Sequence, residues 1–302
     1  MKDNDTLLGI VILVVLIIIM IITPKGSKSP VTSTPQDNTQ DASGEKIISP
    51  TSPYKQSISL GTGNASYSYQ TYEEYVTIDN ISNESIDITN WKLKNGKGER
   101  AYSTSGGLQH FPSDTAIIGQ ATLAISPTGS NVFQNVVLKA NERAVITTGS
   151  IGSQLPYKIV SFKENICSGY LEDLPEYTFI PPLSNDCPRP RNEPGVSALD
   201  TECRTFIESM SSCRTPKFDT KDSDGEICHS CVNNVLLSSA CVSFIKNHFN
   251  YASCIYNHKN DTDFSGHTWR IFLGRGWEMW AEKYETIELF DKSGKLVSHI
   301  TY

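Results

Sequence analysis

Apolar and polar positions alternate with a period of two in several short stretches of this chain. In "YEEYVTIDN", Tyr72, Glu74, Val76 and Ile78 fall on one face and Glu73, Tyr75, Thr77 and Asp79 on the other. That alternation predicts a half-buried strand. "SIDITNWKLKNGKGERAY" alternates through Ile86 and Ile88, then changes phase to Trp91 and Leu93. The phase change predicts a β-bulge, and "NGKG" at Asn95 to Gly98 predicts a hairpin turn. "VVLKANERAVITTG" predicts a strand pair around the polar turn Ala140 to Glu142. "TWRIFLG", "YETIELFD" and "KLVSHITY" predict three more strands, with a "DKSG" turn at Asp291 to Gly294. Many short strands separated by turn signals predict a mainly β protein of the sandwich type.

The period changes in the middle of the chain. Leu199, Cys203, Phe206, Ile207 and Met210 recur at helical spacing, and so do Cys241, Ile245, Phe249 and Ala252. Both segments predict short amphipathic helices, too small to make a core alone. Between them, and upstream through "CSGYLEDLPEYTFIPPLSNDCPRPRNEPG", the chain is rich in Pro and reads as loop.

A third pattern opens the chain. Leu7 to Ile22, "LLGIVILVVLIIIMII", is unbroken apolar sequence. With Thr6 and Thr23 it reaches the length of roughly 17 residues that a membrane-spanning helix needs. No small-x-small cleavage site follows, so the run reads as an uncleaved anchor over residues 1–23. Residues 24–56 are mostly Ser, Thr, Pro, Gln, Asn, Asp and Lys. Such a segment lacks the apolar residues that offset ordering entropy. It reads as a disordered linker, roughly 30 Å across as a coil and about 100 Å if taut.

The net charge of the 302-residue chain is −7, with no Lys/Arg cluster. This argues against nucleic-acid binding, because neutralising phosphates needs a basic face. All eight cysteines lie between Cys167 and Cys254. Their even number and crowding point to an oxidising compartment and a disulfide framework. Lysines flanking the apolar run slightly favour the opposite topology; the cysteines outweigh them. The expected topology therefore has a cytoplasmic N-terminus, a single span and an extracytoplasmic C-terminal domain.

At this point the residues resemble a known family. "EEYVTIDNISNESIDITNWKLKN", "LKANERAVITTG" and "TWRIFLGRGWEMWAEKYETIELFDKSGKLVSHITY" look like the lamin tail domain. The resemblance covers about Tyr69 to Gly149 and Thr268 to Tyr302. It implies an immunoglobulin-like β-sandwich without catalytic residues, of the kind that serves in prokaryotes as an extracellular module. Two departures are Asn90, where the family often has Gly, and the turn "KAN", where a Pro-Gly type is common. The expected organisation is a lamin-tail-like domain over 57–302, interrupted at about 152–267 by a small disulfide-stapled helical insert. Because the resemblance is complete without the insert, the strands are expected to fold when it is replaced by a short linker.

Several pairings are expected for the cysteines. Cys167 with Cys187 would close a loop of about 20 residues, worth roughly 3 kcal/mol. Packing the two helices antiparallel brings the start of one to the end of the other, suggesting Cys203 with Cys254 and Cys213 with Cys241. Helical rise separates the cysteines by about 15 Å on the first helix and about 20 Å on the second. The mismatch implies an irregular turn near Asn250 to Ser253. Cys228 and Cys231, in "GEICHSCVNNVLLSSAC", then form a local staple, the most reducible of the four. A zinc site using Cys228, Cys231, Cys241 and Cys254, or a redox Cys-x-x-Cys, are the alternatives. Neither has its usual context of finger spacing or a preceding βαβ unit.

Weaker signals complete the reading. "DTKDSDGE" at Asp219 to Glu226 faintly resembles a calcium loop but lacks acidic residues at its first and twelfth positions, and "HKNDTDF" at His258 to Phe264 reads as a connecting loop. No Gly-x-Ser-x-Gly elbow is present, and Glu73 and Glu74 lie on opposite faces of one strand. Asn64, Asn80, Asn83 and Asn260 lie in glycosylation sequons. Trp269, Phe272, Trp277 and Trp280 read as core and rim. The expected function is non-catalytic, without metal or cofactor. It is binding, adhesion or envelope structure, with the membrane as one partner and a protein or glycan as the other. The rival is a surface enzyme or metal-binding protein with its site among the Cys and His residues of the insert.

Overall fold

The alternation at "YVTIDN" becomes a strand whose inward residues are Val76, Ile78 and Asn80. The computed structural model describes residues 51–302, except 153, 154, 219, 222–226, 233 and 234. The expected membrane anchor, nearly all of the linker, and most of the calcium-like segment lie outside the described residues. Among the described residues no helix is long and apolar enough to cross a membrane.

The protein is mainly β. The strands are β1 (Ile58–Gly61), β2 (Tyr75–Asn80), β3 (Ile86–Asp87), β4 (Lys92–Asn95), β5 (Ala101–Thr104), β6 (Gly107–His110) and β7 (Thr115–Ile117). There follow β8 (Ala121–Thr122), β9 (Phe133–Gln134), β10 (Val137–Leu138), β11 (Arg143–Thr147) and β12 (Phe162–Asn165). Two small ribbons use β13 (Thr220–Lys221) with β14 (Ile227–Cys228), and β15 (Cys231–Val232) with β16 (Val235–Leu236). The last three are β17 (Ser265–Phe272), β18 (Thr286–Phe290) and β19 (Leu296–Thr301). Seven strands join in the order β1-β2-β11-β17-β12-β8-β9, and four in the order β19-β18-β4-β7. Val76, Ile78, Ile146, Trp269 and Ile271 from the first sheet meet Leu93, Ile287, Leu289 and Val297 from the second in one apolar core. Trp91 and Trp269 are among its largest fully buried side chains.

Some local expectations hold and some change. The β18–β19 hairpin forms around the Asp291 to Gly294 turn, with Asp291 Oδ1 accepting from the amides of Ser293 and Lys295. "NGKG" does not join adjacent strands. It forms a short 3-10 turn over Gly96–Glu99, and β4 pairs instead with β7 and β18. The ribbon β5–β6 occupies the interval, and all eight of its residues are exposed. Likewise β10 and β11 do not pair with each other; β10 pairs with β3, and β11 with β2 and β17. At the phase change before Trp91, Asn90 adopts φ +64°, and in the turn before β11 Asn141 adopts φ +61°. Asn tolerates this left-handed region better than most residues. Both residues therefore stand where glycine-like backbone is required.

Among the described residues, four α-helices lie in the interval between β12 and β17: α1 (Gly169–Glu172), α2 (Thr201–Ser209), α3 (Ser239–His248) and α4 (Tyr251–His258). Asp200, Ser238 and Asn250 cap the last three by accepting the amides of Cys203, Cys241 and Ser253, a standard N-terminal stop for orphan donors. The expected irregular turn is a full break: α3 ends before Phe249 and Asn250 starts α4.

These elements enclose a second apolar core with Ile207, Ile245, Phe249, Tyr251 and six of the cysteines. It extends to Phe162 of β12 and to Ile125 beyond β8. The insert therefore does not begin at residue 152. Phe162–Asn165 is an inner strand of the seven-stranded sheet, between β17 and β8. Pleating aims Trp269 and Ile271 of β17 at the first core, while Phe272 packs against the second. One sheet thus serves two cores, and the described residues make one compact unit.

Candidate functional site

Where the sheet meets the insert, the surface opens into a cleft of about 740 Å³. One wall is the turn Lys139–Glu142, set by the left-handed Asn141. The other is Ile255 of α4 and its C-cap residue Lys259, with the turn Asp261–Ser265. Phe264 is held in that turn by its amide on the Asp261 carbonyl, and its own carbonyl accepts from Ile166. The "HKNDTDF" segment is thus a connecting turn, as its composition implied, and also a wall of the cleft.

The floor carries a buried ion pair. Lys163 Nζ of β12 lies 2.6 Å from Glu142 Oε1, and both residues are below 5 % exposed. Glu142 Oε2 accepts from the Lys139 amide, and Lys163 Nζ stands 5.2 Å from the centroid of the Trp269 ring. Each is the other's opposite charge in this buried setting, so removing either leaves a buried charge without its counter-ion. For the same reason neither is free as a general base. The other charged lining residues are Lys139, Lys259, Asp261 and Asp263, with His267 at the edge. Both signs are present, which suits a polar ligand held by several hydrogen bonds more than a polyanion.

Behind the Asp261 wall, His258 bridges two carboxylates. Its Nδ1 lies 2.7 Å from Asp261 Oδ2 and its Nε2 lies 3.1 Å from Glu193 Oε1. Both nitrogens donate only in the imidazolium form. Burial disfavours that charge, but the hydrogen bonds and charges of Asp261 and Glu193 outweigh it and hold the imidazole above its ordinary value. Glu193 is itself buried, and among the described residues its Oε2 has no hydrogen-bond partner.

A separate polar cluster stands at the rim of the four-stranded sheet. Trp277 is 59 % exposed, donates from Nε1 to Asp114 Oδ2 at 2.6 Å, and carries the Arg275 guanidinium over its ring. Arg275 also pairs with Asp114. Burial pushes the Asp114 carboxyl up, but the bonds from Trp277 and Arg275 win and hold it below the usual range. Trp269 and Trp280 are core residues and Phe272 is partly buried, so Trp277 is the exposed one of the four aromatic residues.

The eight cysteines all form disulfides, and none is free. The pairs are Cys167–Cys254, Cys187–Cys213, Cys203–Cys241 and Cys228–Cys231. Only the last matches expectation. Cys203 and Cys241 both lie in the first turn of their helices, so start meets start instead of end. The break at Asn250 puts Cys254 on a different helix from Cys241, where it reaches Cys167 beside β12. The oxidised sulfurs also remove the thiolate zinc set proposed from Cys228, Cys231, Cys241 and Cys254. Among the described residues no group of three or more His, Cys, Asp or Glu is placed to hold a metal.

Of the sequons, Asn64 and Asn80 are buried, and their side chains are committed to backbone groups. Asn83 and Asn260 are exposed. Glu74 is buried while Glu73 is not, as the alternation implied; its carboxylate accepts the amides of Met279 and Trp280 and is structural. The cleft itself was not visible in the sequence. Its one local signal was a lysine and a glutamate, Lys163 and Glu142, each beside apolar strand residues. The chain matches no protein-family model and no curated protein.

Proposed function

We propose that this chain is a non-catalytic, extracytoplasmic binding protein. In this reading residues 57–302 are a lamin-tail-like, immunoglobulin-like sandwich whose disulfide-braced insert forms one wall of a ligand cleft. Residues 1–23 anchor it in the membrane and the linker displays it. The ligand is a protein or glycan presented at the cell envelope, held by hydrogen bonds from Lys139, Lys259, Asp261 and Asp263.

The observation that carries this reading is the cleft between the sheet and the insert, with a rigid wall. Cys167–Cys254 ties α4 to the chain just after β12, so the Lys259 side cannot swing away from the Lys163 side. Preorganisation of this kind lowers the ordering cost of binding. Four disulfides in one chain also suit an oxidising compartment.

The test has two arms. A cysteine-free reporter fused after Tyr302 should be cleaved by external protease in intact cells; protection until lysis defeats the topology. The full chain should bind isolated envelope polysaccharide or surface protein, and K259A/D263A should weaken binding at least tenfold while leaving the thermal midpoint unchanged. Equal binding by that variant defeats the cleft.

A further inference from the structure

We propose that Cys228–Cys231 is a thiol–disulfide exchange site, distinct in kind from the three other bridges. Those three join residues that are all between 0 and 6 % exposed, and all six cysteines belong to the insert core. Cys228 and Cys231 are both partly exposed and belong to neither core. Attack on a disulfide needs a thiolate to reach one sulfur along the S–S axis, so access separates this bridge from the rest.

The position is also one that tolerates opening. The bridge spans three residues of sequence, against 26, 38 and 87 for the others. A loop that short removes the least entropy from the unfolded chain. Its surroundings are held by other means. Val232 and Leu237 are buried in the insert core, and the Leu237 amide donates to the Ser230 carbonyl at 3.0 Å. β14 and β15 each pair with a neighbour outside the Cys-x-x-Cys loop. Opening the S–S bond therefore leaves these contacts and pairings in place.

The chemistry is a two-electron exchange. A thiolate attacks one sulfur; a mixed disulfide forms, the Cys228–Cys231 bond breaks, and the electron pair leaves on the second sulfur, which takes a proton from water. A second thiolate then attacks the mixed disulfide at the outer sulfur. The products are two cysteine thiols and one external disulfide. A more oxidising external disulfide reverses the steps. The substrate class is a thiol.

The full chain, in detergent, is equilibrated in mixtures of reduced and oxidised glutathione, quenched with acid, alkylated and peptide-mapped. The expected result is two new thiols per chain, at Cys228 and Cys231 only, appearing at least tenfold faster than at any other cysteine. They should close again on return to oxidised glutathione, with the near-ultraviolet circular dichroism unchanged throughout. C231S should trap one glutathione per chain on Cys228, and C228S/C231S should take up none. Resistance of this bridge until denaturant is added, simultaneous opening of all four, or loss of tertiary signal on its reduction would each overturn the proposal. So would thiol uptake by the double variant.

Discussion

Arg270 of β17 pairs in register with Phe162 of β12 but reaches Glu164 with its side chain, Nε 2.5 Å from Oε1, and its two terminal nitrogens donate to the carbonyls of Pro181 and Pro182. Both side chains are buried. Glu164 Oε2 accepts the Ser184 amide, so the pair pins the Pro-rich loop onto the outer face of the sheet. The second core is attached to the first sheet by this fully bonded charge pair as well as by apolar contact. A buried pair seldom adds much net stability, but breaking one side costs about 3–5 kcal/mol. R270A should therefore lower the free energy of unfolding by that amount, read from the shift of the denaturant midpoint. R270K should recover only part, because a lysine cannot hold the carboxylate and both carbonyls at once. An R270A protein with a wild-type midpoint would show that the pair carries no weight.

Replacing residues 152–267 with a Gly/Ser linker should not leave a folded β protein, contrary to the expectation from the family resemblance. The deletion removes β12, so β8 and β17 lose the strand between them, and Glu142 is left buried without Lys163. Loop shortening itself costs little; the missing strand and the orphaned charge do the damage. Far-ultraviolet circular dichroism and a urea titration check this. A cooperative β protein with a native-like midpoint would mean the sheet closes without β12.

Cys167–Cys254 closes 87 residues and Cys228–Cys231 closes three. The chain-entropy relation gives about 4.6 kcal/mol for the first and about 1.6 kcal/mol for the second. C167A/C254A should therefore be far less stable than C228A/C231A, in order if not in exact magnitude. Thermal melts of the two double variants decide the order, and the reverse ranking would contradict the structural assignment.

Gly169 opens α1 against the Cys187–Cys213 bridge. A Cβ added there would stand 2.2 Å from Cys213 Sγ and 2.8 Å from its Cβ. G169A should displace Cys213 and leave Cys187 and Cys213 partly reduced, with a loss of roughly 2–4 kcal/mol where the bridge fails to form. Thiol counting under non-reducing conditions checks it. Full oxidation with unchanged stability would show that the helix shifts to make room.

His258 should give the insert a pH dependence. Its folded value is raised above the ordinary 6.5 because the imidazolium is held between Asp261 and Glu193. The folded state binds that proton more tightly than the unfolded chain does. The contribution is therefore whole below about pH 6.5 and is lost as pH rises through the raised folded value. Thermal midpoints of the wild type from pH 5.5 to 8.5 should fall more steeply than those of H258Q. Parallel profiles would remove His258 from the account.

The strands with strict alternation, such as β2 and β18, and the apolar faces of α2 and α3 were legible in the sequence. Each is a local pattern imposed by one covered face. β12 was not legible, because "FKEN" shows no alternation of apolar and polar residues: both its faces are buried, and Lys163 and Glu164 are accommodated by ion pairs from β11's turn and from β17. Nor was the cleft, whose walls are more than a hundred residues apart in sequence. The disulfide pairing failed for a related reason. Helical spacing set which cysteines faced inward, but not which ends met. The N-cap at Asn250 cut the expected second helix in two and sent Cys254 to Cys167. By itself the sequence determined the strictly alternating strands and the apolar faces of the amphipathic segments, since these follow from backbone period. Strand order, the β12 position and the partners of each cysteine were decided only by tertiary packing, where non-local burial chooses among pairings that local pattern leaves equal.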